Sequence, residues 1–295
     1  MLPSPAMSLV TIRDAADLPL AGLDWRSRLE QLEAWLRPLR RAIVAYSGGV
    51  DSSVLFRAAH ETLGEGALGV IGRSDSYARR ELDLALAQAK YFGGRVEIVT
   101  TGELADPSFA SNPLDRCYHC KSELYRELVQ VAERFGAAAI LDGTIADDLS
   151  DWRPGRRAAG ESGVKSPLAE LGFTKADVRA AAAHYGLESS AKPASPCLAS
   201  RIPYGVEITR ENLQMVERAE KLLRSLGFEE LRVRHHQELA RIEVPLSALP
   251  RLLEPGVREA VVQGLKALGY RHVTLDLEGF RSGSLNPVNP TVKNS

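Results

Sequence analysis

Aromatic residues make up only 6% of the 295-residue sequence, cysteines number three, and charge of neither sign prevails. No apolar run approaches the roughly 18 residues that a membrane helix needs, so no membrane partner is expected. Thirty-seven basic against thirty-eight acidic residues leave a formal net charge of −1. A dedicated polyanion binder carries a basic excess, so nucleic acid is not expected as a partner either. An odd cysteine count, with two thiols at Cys117-x-x-Cys120, argues against a disulfide-stapled secreted domain and for a metal or redox role in a reducing compartment. Met1 to Val10 lacks a basic n-region and an apolar core, so no secretory signal is expected there and the expected location is cytoplasmic. Met7 is a second candidate start. What is present, 44% hydrophobic and 25% charged residues, suits a soluble chain with a sizeable core. Its length fits two units of unequal size, at roughly 150 residues per domain.

Pro3, Pro5 and Pro19 and weak periodicity mark residues 1–22 as a flexible arm. From Asp24, Leu29, Leu32, Trp35, Leu36 and Leu39 recur at helical spacing. Strand-like runs at 41–46, 67–71, 96–100 and 137–141 then alternate with helical stretches at 54–63, 78–92 and 123–135. Such alternation predicts right-handed βαβ crossovers and an α/β domain with a parallel sheet. Residues 145–172, rich in Gly, Pro, Asp and Arg, read as a long loop beside the sheet's carboxyl edge. A helix over 174–185 follows, capped by Thr174 and stopped by Gly186, and 192–205 is again loop. A helix at 210–226, strands at 231–235 and 239–244, helical segments near 247–268 and a strand at 272–277 give αββαβ order. The expected domains are therefore 23–206 and a smaller α+β domain at 207–285, with a disordered tail at 286–295.

The first strand runs into Ser47-Gly-Gly-Val-Asp-Ser-Ser53 and then a helix. Gly48 and Gly49 let the backbone approach an anion, consecutive N–H groups form a nest, and the helix start adds partial positive charge. Hydroxyls of Ser47, Ser52 and Ser53 suit phosphate oxygens, and the Asp51 carboxylate implies Mg²⁺. The Gly-Lys-Ser/Thr ending of a Walker loop is missing. The stretch resembles the loop of ATP pyrophosphatases (the PP-loop), which cleave ATP to AMP and diphosphate to adenylate a carbonyl oxygen. GMP synthetase, NAD synthetase and tRNA-thiolating enzymes carry it. ATP is then expected across the carboxyl ends of the strands. The turn Gly72–Asp75, with Ser74, is placed to meet adenine. The turn at Asp142-Gly143-Thr144, with Asp147 and Asp148, is placed near the reacting phosphate.

Cys117-Tyr-His-Cys120, followed by Lys121, admits three readings: half of a zinc site, a redox dithiol, or two ligands of an iron–sulfur cluster with Cys197 as third. Two unreactive thiols are the plain alternative. Cys197 lies in a proline-stiffened loop with Ser200 and Arg201, and a neighbouring guanidinium makes a thiolate more available. A lone loop cysteine is more often a bystander, but an adenylating loop calls for a nucleophile to follow it.

Arg116-Cys-Tyr-His-Cys-Lys121, Cys197-Leu-Ala-Ser-Arg201, Leu231-Arg-Val-Arg-His-His236 and Leu275-Asp-Leu-Glu-Gly-Phe-Arg-Ser-Gly283, with the phosphate loop, resemble the LarE family from about residue 25 to 285. The resemblance implies an ATP-dependent sulfur transferase of nickel-pincer nucleotide biosynthesis. It would adenylate the carboxylates of a pyridinium dicarboxylate mononucleotide and convert each to a thiocarboxylate. Some members sacrifice the sulfur of one cysteine, leaving dehydroalanine, at the position of Cys197. Others hold a [4Fe-4S] cluster on three cysteines, and the thiols Cys117, Cys120 and Cys197 match that form, with a sulfide donor to reload it. The family also implies a homo-oligomer. Ile145 follows Asp-Gly-Thr where a polar residue is expected.

Arg232 and Arg234 alternate along a strand and so share a face. With Arg281 they are candidates for the substrate's 5′-phosphate, against the alternative of a solvated sheet face with salt bridges. Glu220, Glu243 and Asp148 are candidate acid/base groups or metal ligands, and His235 and His236 are read as surface residues. Two competing readings are a tRNA thiolase, which would call for a basic surface, and a nucleotide-sensing or iron–sulfur regulator without turnover. Ammonia chemistry of the NAD synthetase kind gives the thiols no role.

Overall fold

The computed structural model describes residues 22–150, 154–191, 195–281 and 284–285. The expected arm up to residue 21 and the tail from 286 lie outside them. The described chain divides into two compact units. Of the described residues, the first draws on those up to Ser74, Arg79–Glu103 and Cys117–Ser195, the second on Asp75–Ala78, Leu104–Arg116 and those from Pro196 on. In chain order the elements begin α1 (Trp25–Leu36), β1 (Ala42–Ala45), α2 (Val50–Leu63), β2 (Ala67–Arg73), α3 (Arg79–Tyr91) and β3 (Arg95–Thr100). Next come α4 (Pro107–Ala110), α5 (Arg116–Phe135), β4 (Ala139–Leu141), α6 (Pro154–Glu161), α7 (Pro167–Glu170) and α8 (Lys175–His184). The chain continues through α9 (Arg210–Ser225), β5 (Arg232–His236), β6 (Leu239–Glu243), α10 (Leu249–Leu253), α11 (Pro255–Ala267) and β7 (His272–Leu275).

In the first unit β3, β2, β1 and β4 hydrogen-bond in that order, all parallel. The order reverses at β1, whose neighbours are β2 on one side and β4 on the other. That is the switch point where an open α/β sheet binds ligands at its carboxyl edge. The unit is thus α/β, as the alternation predicts, and consistent with a PP-loop domain. β1 is buried at all four positions, as a central parallel strand must be. Helix α1 closes one flank with Leu29, Leu32, Trp35 and Leu36 buried, and the Asp24 carboxylate caps it by accepting from the Ser27 N–H at 2.9 Å.

Four local readings are corrected. Helix α2 begins at Val50 rather than Val54, so Asp51, Ser52 and Ser53 stand in its first turn, behind Gly49 as N-cap. Strand β2 runs on to Arg73, so Gly72 and Arg73 belong to the strand rather than to the turn. Helix α5 begins at Arg116, which puts Cys117 and Cys120 inside it. The expected loop at 145–172 holds α6 and α7, each opened by a proline, Pro154 and Pro167, at its first position. That is where a missing N–H costs nothing.

In the second unit β5 runs antiparallel to β6, and β6 parallel to β7. One sheet face packs Val233, Ala240 and Ile242 into a core with Leu223, Leu252, Val261, Leu265 and Tyr270. Register puts Arg232 opposite Glu243 and Arg234 opposite Arg241, so the other face carries charge. His235 is buried, its Nδ1 3.1 Å from the Tyr270 hydroxyl, which corrects its reading as a surface residue. No helix among the described residues is long and apolar enough to cross a membrane.

Candidate active site

The chain turns from β1 into α2 over a tightly bonded loop. Ser52 Oγ donates to the Gly49 carbonyl at 3.1 Å and accepts from the Ser47 N–H at 3.2 Å, with Ser47 Oγ 3.1 Å away. Gly48 has φ +69°, and a Cβ there would stand 2.6 Å from Ala85 Cβ, so α3 presses on the loop from outside and only glycine fits. Gln88, one turn further along α3, donates to Ser53 Oγ at 2.5 Å and to the Tyr46 hydroxyl at 3.3 Å. The turn after β4 closes the other side. A Cβ at Gly143 would lie 2.7 Å from the Ser52 amide nitrogen, so that turn and the start of α2 are in backbone contact. A cradle that a side chain would fill, lined by hydroxyls at a helix start, fits a polyphosphate. Asp51 reaches out of the same turn with 26% of its side chain exposed, and Lys175 Nζ lies 2.8 Å from each of its oxygens.

Asp142, between β4 and Gly143, is buried and fully engaged. It accepts from the Tyr125 hydroxyl at 3.3 Å, from Thr144 N–H and Oγ1 at 3.2 and 3.0 Å, and from Ser166 Oγ at 2.7 Å. Lys121 faces this group, its Nζ 5.5 Å from the Tyr125 ring centroid. Tyr125 first, then Asp142, Cys120 and Cys117, hold the Lys121 pKa above the ordinary value although burial lowers it. Lys121 and Tyr125, in the second and third turns of α5, thus face Asp142, which leads into Gly143 beside the phosphate loop. Helix α6 lies against α5: Arg157 stacks 3.7 Å from the Tyr118 ring centroid, and the Tyr118 hydroxyl donates to Glu161 at 2.7 Å.

In the second unit, Cys197 precedes a 3-10 turn, Leu198–Arg201, and Arg201 is almost wholly buried. Its Nη1 donates to the carbonyls of Pro196 and Cys197 at 2.5 and 3.0 Å and to Ser200 Oγ at 3.1 Å. Its Nε and Nη2 grip Glu220 at 2.9 and 3.2 Å. Arg234 donates to the Ser200 carbonyl at 2.9 Å and to Glu243 at 2.7 Å, and Arg241 and Ser284 also donate to Glu243, at 3.2 and 2.8 Å. Three buried guanidinium groups, Arg201, Arg232 and Arg234, thus meet two buried carboxylates, Glu220 and Glu243. Burial, and then the charge of Arg201, pull the pKa of Arg232 down to about 10. Asn112, buried and with φ +56°, donates to the carbonyls of Pro203 and Val206 at 2.8 and 2.9 Å and accepts from Arg116 at 2.7 Å. It pins the chain just past Arg201.

No protein-family model matches the chain. It is 46% identical over 262 residues to an uncharacterized protein of Synechocystis, an alignment covering 89% of this chain and 98% of that one. It is 41% identical over 256 residues to the pyridinium-3,5-bisthiocarboxylic acid mononucleotide synthase of Lactiplantibacillus plantarum, across 86% of this chain and 92% of the synthase. The chain belongs to this synthase family. It is an enzyme, and the resemblance to LarE proteins read from its motifs holds at the level of the family. A fainter likeness, 27% over 196 residues, joins it to one component of the glutamine-hydrolysing GMP synthase of Halobacterium salinarum, across 60% of this chain and 64% of that one.

Within this member of the synthase family the candidate residues fall into three sets. Ser47, Gly48, Gly49, Asp51, Ser52, Ser53 and Gly143 gather at the switch point, with Ser74 just past the end of β2. Asp148, close by in sequence, turns its carboxylate back on the Ile145 N–H at 3.2 Å. Cys117 and Cys120 share the first turns of α5 in the first unit. Cys197, Arg201, Glu220, Arg232, Arg234 and Glu243 belong to the second. Arg281 is half exposed and pairs with Glu278. Among the described residues no group of three or more His, Cys, Asp or Glu side chains is arranged to hold a metal ion. Glu220 and Glu243 face arginines instead of each other. Sequence reasoning missed Lys175. Its one signal was a cation directly after the Thr174 cap, where the helix dipole disfavours positive charge.

Proposed function

We propose that the enzyme is an ATP-dependent sulfur transferase acting on a pyridinium dicarboxylate mononucleotide. A substrate carboxylate oxygen attacks the α-phosphorus of ATP and diphosphate leaves. A sulfur nucleophile then attacks the acyl carbon, the C–O bond breaks and AMP departs. Sulfide as the nucleophile leaves the thiocarboxylate directly, whereas the Cys197 thiolate leaves a thioester, which loss of the Cα proton and cleavage of the Cβ–Sγ bond convert to the thiocarboxylate and dehydroalanine. Gly48, Gly49, Gly143 and the hydroxyls of Ser47, Ser52 and Ser53 bind the phosphates. Asp51 is the ligand for Mg²⁺, which screens their charge. Arg232 and Arg234, with Arg281, take the substrate's 5′-phosphate. The observation carrying this reading is a phosphate cradle at the switch point of the sheet, in a chain matching 92% of a mononucleotide synthase at 41% identity.

The sulfur source has two readings. The presence of Cys117, Cys120 and Cys197 favours a [4Fe-4S] cluster that carries the donated sulfide. The partly buried Cys197, held by its own carbonyl to Arg201, favours sacrifice of one thiol. Incubation with ATP and the pyridinium substrate should release AMP and diphosphate in step with thiocarboxylate. ATP binding without AMP release would mean a sensor, not an enzyme of this kind. Anaerobic purification separates the two sources. About four irons per chain, lost on Cys→Ala substitution at 117, 120 or 197, mark the cluster. A loss of about 34 Da at Cys197, the mass of H₂S, marks sacrifice.

A further inference from the structure

Arg116 is only 5% exposed, yet no carboxylate answers its charge. Nη1 donates to Asn112 Oδ1 at 2.7 Å, the guanidinium carbon stands 4.2 Å from the Tyr204 ring centroid, and Nε is shut from water without an acceptor. Among the described residues Arg116 forms no ion pair, whereas the equally buried Arg201 and Arg234 each grip a glutamate. Local structure does not call for a cation here. The Asn112 nitrogen is already spent on the carbonyls of Pro203 and Val206, and its oxygen needs one donor, which a neutral amide could supply. A positive charge on the first residue of the twenty-residue helix α5 is also opposed by the helix dipole. A buried cation without a counter-ion opposes folding, so such a group suits an anion that arrives from outside. Chain order ties the place to sulfur at both ends. Cys117 is the next residue, and Tyr204 comes three positions after the Cys197–Arg201 stretch.

We propose that Arg116 holds one ring carboxylate of the mononucleotide while the other reacts, and so selects a carboxylated ring. This deepens the substrate reading above and rests on it. In that reading Arg232, Arg234 and Arg281 take the 5′-phosphate and the loop takes the phosphates of ATP, which leaves the second carboxylate without a partner. A planar guanidinium fork matches a carboxylate lying in its plane. Asn112 occupies one arm of the fork and the Tyr204 ring covers its face, so the edge formed by Nε and Nη2 is the one left to donate. A ring without a carboxylate there leaves the guanidinium buried and unpaired, which is the penalty that makes polar recognition discriminating.

Calorimetry on the nucleotide-free protein compares two probes that share ring, ribose and phosphate, the pyridinium-3,5-dicarboxylate mononucleotide and the uncharged-ring-substituent analogue, pyridinium-3-carboxamide mononucleotide. Wild type should bind the dicarboxylate about tenfold or more tightly than the carboxamide. R116Q, whose amide can still donate to Asn112, should cut that preference about tenfold. R116K keeps the charge without the fork and should fall between the two. A residue that only shapes the fold would weaken both probes alike and keep their ratio. That outcome overturns the proposal, and so does a wild type without preference. Should R116Q not fold, R116K carries the test, and an unreduced ratio in it overturns the proposal. A wild type that binds neither mononucleotide overturns the substrate reading itself, whatever the variants do.

Discussion

Replacing Glu220 by Gln changes one atom and one charge, and its cost can be worked from the contacts. Glu220 Oε1 accepts from Arg201 Nε at 2.9 Å and from the Val233 N–H at 3.3 Å. Oε2 accepts from Arg201 Nη2 at 3.2 Å and from Arg224 Nη2 at 2.9 Å. The glutamine amide can put its nitrogen in either place, and each choice sets a donor against two donors. Glu220 and Arg201 are each 2% exposed, so water cannot take over. Removing one partner of a buried pair costs about 3–5 kcal/mol, which in a chain of this size lowers Tm by roughly 6–20 °C. Urea titration followed by circular dichroism measures the loss. Because the group is buried, the loss should persist in 1 M salt, where surface pairs are screened. It should also fade in acid. Burial raises the Glu220 pKa, but Arg201 and then Arg224 more than offset that and hold it below 4.5. A carboxylate with a lowered pKa stabilises fully above its unfolded value and progressively less as pH falls below it. Wild type and E220Q should therefore approach each other as pH falls below 4.5 and through the lowered pKa of the folded protein. A loss under about 1 kcal/mol at neutral pH, or one abolished by salt, would refute the buried strut.

Two further outcomes follow from the same contacts. G143A should lower Tm and weaken ATP binding at least about tenfold by calorimetry below the melt, since its Cβ would strike the backbone of Ser52 at 2.7 Å; unchanged affinity in the folded variant would place the nucleotide elsewhere. His235 has a pKa lowered by burial first and by His236 second, so protonation favours the unfolded chain and stability should decline as pH falls below about 6.5. H235Q, which can still meet the Tyr270 hydroxyl, should flatten that slope in urea titrations at pH 5 and 7.

The phosphate loop was legible because its glycines, hydroxyls and carboxylate are local and stand between a strand and a helix. The parallel sheet followed from alternation alone. The start of α5 was not legible from propensity, since Cys117, Tyr118, His119 and Cys120 are poor helix formers. Packing decides there: Tyr118, Tyr125, Leu128, Val131 and Phe135 keep one face on the core. In α6 and α7 the prolines read as breakers, although they sit where helices tolerate them. Lys175 and Asp51 could be joined only by the fold, because nothing in their sequence neighbourhoods refers to the other. The alternating arginines were read correctly as sharing a face, but their burial beneath the Cys197 loop depends on Arg201 and Ser200 returning from outside the strands.

The second unit takes residues from three stretches of chain, so the polypeptide passes between the units after Ser74, Ala78, Glu103, Arg116 and Ser195. No single cut can release it as a cassette. A fragment starting near residue 207 would leave behind Ala110, whose carbonyl accepts from the Ile208 N–H, and the 3-10 turn that carries Arg201, the partner of Glu220. The unit cannot be exchanged by simple fusion without rewriting the linkers at all five crossings. Chimeras between relatives should therefore exchange whole chains or matched sets of segments.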